Sequence, residues 1–457
     1  MTFSSAVLTP IIIAMVVLPN PDMHISQRHA LTMVFMIDKR DAMRIEHKIS
    51  VVAAALVLTA CGSGTQQSAP SSANDETAAT GTVEQRRPTP RLAVTYDGGV
   101  MILDATTLEQ VADLPASGYL RVKAAGDNRH VMLADGDGFT VLDTGTWARG
   151  HGDHAHFQTA PPKLTDIRIS APEPGHVVTH DGTTALFSDG AGTVTSIPSH
   201  RIGDPEAPQA VFTAPHPHHG VAVPRADGSL LITTGDETVR TGVQILDAQR
   251  RQIADNTDCP GVHGEGAAAG GAVVFGCENG VLVVHGDRIA KVSAPTPGYA
   301  RIGNLAATEA HPVVLGDYKV DKAATLERPT RVSFIDTRTD SVRLVELPAS
   351  YSFRSLARGQ VGEMLVLGTD GRLRFLDPDT GAVIGEVAVT QPWVESTAWQ
   401  DPRPAVTALG SVAYVTDPAT RTVTAIDIPT REVVKKATVA QVPDETAGVT
   451  GARMAHQ

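Results

Sequence analysis

The chain has 457 residues, with 41 Gly, 30 Pro and only 4% aromatic residues, a turn-rich composition that argues against a helix bundle and suffices for one large domain. Its net charge of -12 is spread along the chain and offers no basic face, which argues against a nucleic-acid partner.

Two apolar stretches lie near the N-terminus. Residues 6–18 fit neither a tether nor a strand, so residues 1–42 read as an over-extended start, with Met43 the true beginning. From Met43, Arg44 and Lys48 precede an apolar run over residues 49–58, the order of charges and apolar residues found in an export signal. Leu58-Thr59-Ala60-Cys61 resembles a bacterial lipobox. Residues 43–60 are then a lipoprotein signal peptide, and Cys61 carries the lipid that anchors the chain to the outer face of the cytoplasmic membrane. Residues 61–90 read as a flexible polar tether.

Beyond the tether a strand ending in Leu-Asp or Ile-Asp recurs at Asp104, Asp143, Asp247, Asp336, Asp377 and Asp427, with degenerate copies at Ile197 and His285. A spacing of roughly 40–55 residues with several short strands per unit is the signature of a β-propeller. Asp-Gly and Asn-Gly pairs such as Asp181-Gly182 and Asn279-Gly280 supply the positive φ of tight hairpins. The fold class is therefore all-β, a single propeller over residues 91–457 with eight blades, seven being the alternative. The first unit lacks one strand, and residues 447–453 are placed to supply it, so that N- and C-terminal strands close the ring in one blade.

Ten of the 17 histidines fall between His151 and His263. They include His151-Gly-Asp-His154-Ala-His156, then His176 and His180, then His216-Pro-His218-His219, then His263-Gly-Glu265. Neutral imidazole is a common ligand of zinc, and also of copper and nickel. His154 and His156, two apart on an extended segment, point the same way, although such a pair also occurs on solvated strands. Aligning the units on their aspartates puts Arg121, His176, His219, His263, Asn304, Arg354 and Arg403 at equivalent points just before a core strand. Three successive blades then bring His176, His219 and His263 to one channel mouth, with His154 and His156 arriving from the blade before. The expected metal ligands are His154, His156, His176, His218, His219 and His263, and residues 215–219 are expected to form a capturing loop.

Cys259 and Cys277 flank a strand pair in one blade. An intrablade disulfide is the natural reading in an exported chain, with a two-cysteine zinc site as the rival.

Residues 151–157, 175–190 and 215–224, and above all Cys259-Pro-Gly-Val-His263-Gly-Glu265 through Phe275-Gly-Cys277-Glu278-Asn279-Gly280, resemble the bacterial zinc metallochaperone family AztD over residues 90–440. The resemblance selects zinc and implies an extracytoplasmic, non-enzymatic propeller that passes the ion to the solute-binding protein of a zinc ABC importer. The chain is expected to act as a monomer. Two rival classes share the fold: an enzyme of the quinoprotein-like or lactonase kind, and an interaction scaffold without tight metal. Asp377-Pro-Asp-Thr-Gly381 resembles a quinoprotein turn, but only Trp147, Trp393 and Trp399 are present, too few for the tryptophan-rich repeats of that class.

Overall fold

In the computed structural model, the aspartates that punctuate the repeat act as turn formers. Thr106 and Thr107 donate their backbone N–H to Asp104 Oδ1, Gln249 and Arg251 to Asp247, Arg338 to Asp336, Thr380 to Asp377 and Thr430 to Asp427. A short carboxylate bonding the backbone two to four residues on reverses the chain between the third and fourth strands of a sheet.

The structure describes residues 81–151 and 154–454. Residues 1–42, the expected signal peptide 43–60, Cys61 and most of the expected tether lie outside the described residues, as does the side chain of His151. Val83–Gln85, within the span read as tether, forms a short strand. Among the described residues no helix is long and apolar enough to cross a membrane.

The described strands form eight sheets with a four-strand antiparallel path, plus one three-stranded sheet. In each blade the two middle strands are almost fully buried, as in Leu92–Val94 beside Val100–Leu103, while the last strand is largely exposed, as in Glu432–Thr438. The first strands pack on one another around the axis. Eight apolar clusters follow one another round the ring, each lying mainly between two neighbouring sheets. One of them joins Leu92 and Met101 to Tyr414 and Val423, the first sheet to the last. Thr446–Val449 is the innermost strand of the first sheet, paired with Arg91–Tyr96 so that Arg91 faces Val449. The expected closure of the ring by the two ends of the chain is therefore present.

The antiparallel order fixes which side chains share an end of the ring. In the second sheet Arg121, which begins the innermost strand, lies opposite Ala134. The other end holds His130 opposite Asp143, and Asp143 opposite Lys163. The hairpin Thr146–His151 and His154–Thr159 springs from that second end, between Asp143 and Lys163, and Val83–Gln85 pairs with its outer strand.

Candidate metal centre

His176, His219 and His263 come from three successive sheets. His176 lies near the start of the innermost strand Pro174–His180, His219 in the loop before Ala222–Pro224, and His263 begins His263–Ala268. One ligand atom from each lies within 4.8 Å of the others. The ring centroids are 5.1, 5.4 and 5.0 Å apart for the pairs 176/219, 176/263 and 219/263.

Two bulges aim these rings. The register slips between Pro174 and Val177, around His176, and again between His263 and Glu265, and a bulged strand turns its side chains away from simple alternation. Gly264 makes the second slip possible: its φ is +69°, and a Cβ there would stand 2.5 Å from Gly303 O. That same carbonyl accepts the His263 Nδ1 proton at 2.6 Å. Gly175 plays a comparable part, because a Cβ there would stand 2.2 Å from Asp189 Oδ1. Asp189 Oδ2 accepts from His219 Nδ1 at 2.6 Å, and Glu265 Oε2 lies 3.5 Å from His176 Nδ1.

Tying Nδ1 of a histidine to a carbonyl or carboxylate sets the tautomer and leaves Nε2 for a metal. His219 and His263 are held in this way. Burial, then the neighbouring His176, Arg301 and His219, holds the His263 imidazolium well below the ordinary histidine range, which keeps the ring in the neutral, ligating form. The result is a half-buried tripod of imidazoles that offers three of the four ligands a tetrahedral zinc takes.

The other expected ligands lie elsewhere. His218 is buried, its Nδ1 at 2.9 Å from His216 O and its Nε2 at 3.1 Å from Thr233 O and Oγ1, with its ring against Phe187. It anchors the 215–219 loop that was expected to be a free capturing arm, and so places its neighbour His219. His154 and His156 sit on the inserted hairpin, at the end of the ring opposite the starts of the innermost strands, and so away from the tripod. Their rings are 5.1 Å apart, and His156 Nδ1 meets Glu84 at 2.7 Å. The cysteines form a disulfide, Cα to Cα 4.9 Å, in the bridgeable range. It ties the loop leading into His263 to the strand beside it, where Gly276 lies opposite His263.

Of the remaining equivalent positions, Arg121 donates to Pro174 O and Asn304 to Phe353 O, while the other two carry ion pairs. Arg354 meets Asp444 and Glu445, the residues that precede the closing strand, and Arg403 meets Glu395 at 2.8 Å. Sequence reasoning passed over Asp189 and treated Glu265 only as part of a motif. Asp189-Gly190 was visible as a turn on the end of the blade that carries His176, yet its reach to the next blade was not.

No protein-family model matches the sequence. Over 363 residues, 78% of this chain and 85% of the relative, it is 25% identical to the zinc chaperone AztD of Citrobacter koseri. Its fold is that of two C. koseri AztD structures. With apo AztD the TM-score is 0.67 at 22% identity, covering 79% of this chain and 98% of that one. With a second AztD crystal structure it is 0.68 at 23% identity, covering 81% and 100%. The resemblance to AztD read from the sequence is thereby borne out.

Proposed function

We propose that this relative of AztD is a zinc metallochaperone that captures the ion at His176, His219 and His263 and yields it to the solute-binding protein of a zinc ABC importer. The observation that carries the reading is the convergence of three imidazoles, one per successive sheet, with ligand atoms within 4.8 Å of one another. Three histidines leave the fourth position open, so an acceptor ligand enters before any of the three must leave, and the ion passes through a shared intermediate. Three-histidine sites with an open position also serve hydrolysis; the name of the relative favours carriage over chemistry. Cys61, as a lipidated anchor on the outer face of the cytoplasmic membrane, would keep the carrier beside the importer, and the disulfide accords with an oxidising compartment.

Competition titration against a chromophoric chelator tests the site. His176→Ala, His219→Ala and His263→Ala should each weaken zinc binding at least about 100-fold, and any two together should cost little more than one, since the three act on a common ion. His154→Ala and His156→Ala should change the affinity less than about threefold. Equal small losses from both sets would overturn the tripod. Zinc movement to the purified acceptor in a chelator trap, without turnover of any ester or phosphoester, separates carriage from hydrolysis.

A further inference from the structure

Beside the tripod stand two guanidiniums, Arg301 and Arg240, that form no ion pair among the described residues. Arg301 lies on the short strand Ala300–Arg301, its backbone bridged to Lys319 by hydrogen bonds of 2.8 and 2.9 Å. Its guanidinium packs over Gly303, where a Cβ would stand 2.7 Å from Nε and Nη2. Gly303 is the residue whose carbonyl holds His263, so this cation sits one residue behind a tripod ring. The buried Asp317 beneath accepts the N–H groups of Gly303 and Asn304 at 2.6 and 2.9 Å and not the Arg301 side chain. Arg240, which begins the strand Arg240–Leu246, is half-buried, and its charge is felt by Arg301, Glu278 and Asp189.

Among the described residues neither Arg240 nor Arg301 forms an ion pair, whereas Arg354 and Arg403 on the rest of the rim do. The acids close by are committed: Glu278 to Lys322 at 2.8 Å, Asp189 to His219, and Glu265 alongside His176. Taking the tripod as neutral, the charges of Asp189 and Glu265 match those of Arg240 and Arg301, so a divalent ion leaves the mouth with two positive charges in excess. This stands out on a chain whose net charge is -12. An unpaired guanidinium next to an open metal position is a seat for a carboxylate, which it can grip through two parallel N–H donors.

We propose that Arg301, with Arg240 beside it, forms an anion seat next to the tripod, and that the ion takes its fourth ligand from an acidic side chain of the receiving protein docked there. The proposal rests on the tripod reading above. The same cations oppose an ion held alone and favour one joined to a carboxylate. The seat therefore weakens holding and promotes handing over.

Cobalt(II) in place of zinc, with acetate as the probe, tests this by visible absorption. In the native chain, acetate should shift the bands of the one-to-one cobalt complex saturably. Arg301→Gln and Arg240→Gln should each raise the acetate dissociation constant about tenfold or more, and Arg301→Lys should restore part of the loss. In anion-free buffer Arg301→Gln should bind cobalt as tightly as the native chain or more tightly, which a merely structural role would not produce. Transfer of zinc to the acceptor solute-binding protein should slow in the same variants.

If cobalt binds at the tripod and acetate has no effect, or acts equally on the native chain and both variants, the anion seat is overturned and the tripod stands. Acetate binding that is lost while transfer keeps its rate overturns the acceptor carboxylate and leaves a small anion as the occupant. Failure of the native chain to bind cobalt, or binding that survives His263→Ala, overturns the tripod reading itself.

Discussion

His219 and His263 each depend on a neighbouring oxygen that fixes the ring, Asp189 Oδ2 for the first and Gly303 O for the second. Asp189 accepts from His219 Nδ1 at 2.6 Å, and a carboxylate in that position orients the ring and raises its basicity. Asp189→Asn should therefore cost about 10- to 100-fold in zinc affinity with the fold intact, measured by chelator competition alongside circular dichroism. His218 makes the opposite case. Its two ring nitrogens are spent on backbone and threonine oxygens in a buried site, so His218→Ala should lower stability by roughly 1–3 kcal/mol in urea titration, as buried acceptors lose their donor. Adjacent positions, His218 and His219, thus divide into support and ligand. Sequence could not make that division, because both stand in one His-Pro-His-His run.

At the level of strands and turns, position within the repeat was the legible quantity. His176, His219 and His263 fall at equivalent points of successive units, and equivalence in a ring means a shared end. His154 and His156 carried an equally strong pattern, yet they belong to an insertion between the third and fourth strands of the second sheet, and spacing alone does not say at which end an insertion emerges. Asp189 was hidden for a related reason, since its bond crosses from a turn of one blade to the next. The recurring aspartates also have a measurable role: Asp427→Ala removes the acceptor of Thr430 N–H and Oγ1 and should lower the thermal unfolding midpoint. The disulfide closes a loop with a sequence separation of 18, so Cys259→Ser with Cys277→Ser should cost on the order of 3 kcal/mol. It should also weaken zinc binding, because the loop into His263 is no longer tied to the strand opposite it.

Across the whole molecule the propeller was readable because its period, its turns and its missing strand agree on one closed ring. Deleting residues 444–457 removes the strand that pairs with Arg91–Tyr96 and the carboxylates that meet Arg354. The truncated chain should unfold cooperatively at a lower temperature with all sheets affected, by calorimetry. Acid should act through the turns. Hydrogen bonds from Thr238 hold Asp236 down at about 2, and similar bonds lower Asp377 and Asp427. Depressed carboxylates stabilise the fold above their unfolded value and lose that contribution as pH falls, so stability should decline from roughly pH 4 downward. Glu395 and Asp444, raised by burial, take up protons sooner in the folded chain and offset part of that decline. A urea midpoint series from pH 6 to pH 2.5 reads the sum. The two ends of the ring also differ in kind. Val83–Gln85 joins the inserted hairpin at one end, and the imidazoles open at the other. The hairpin and the strand that pairs with it stand at the base of the ring as a foot stands under a cup, so an acceptor docked on the histidine rim would not disturb them.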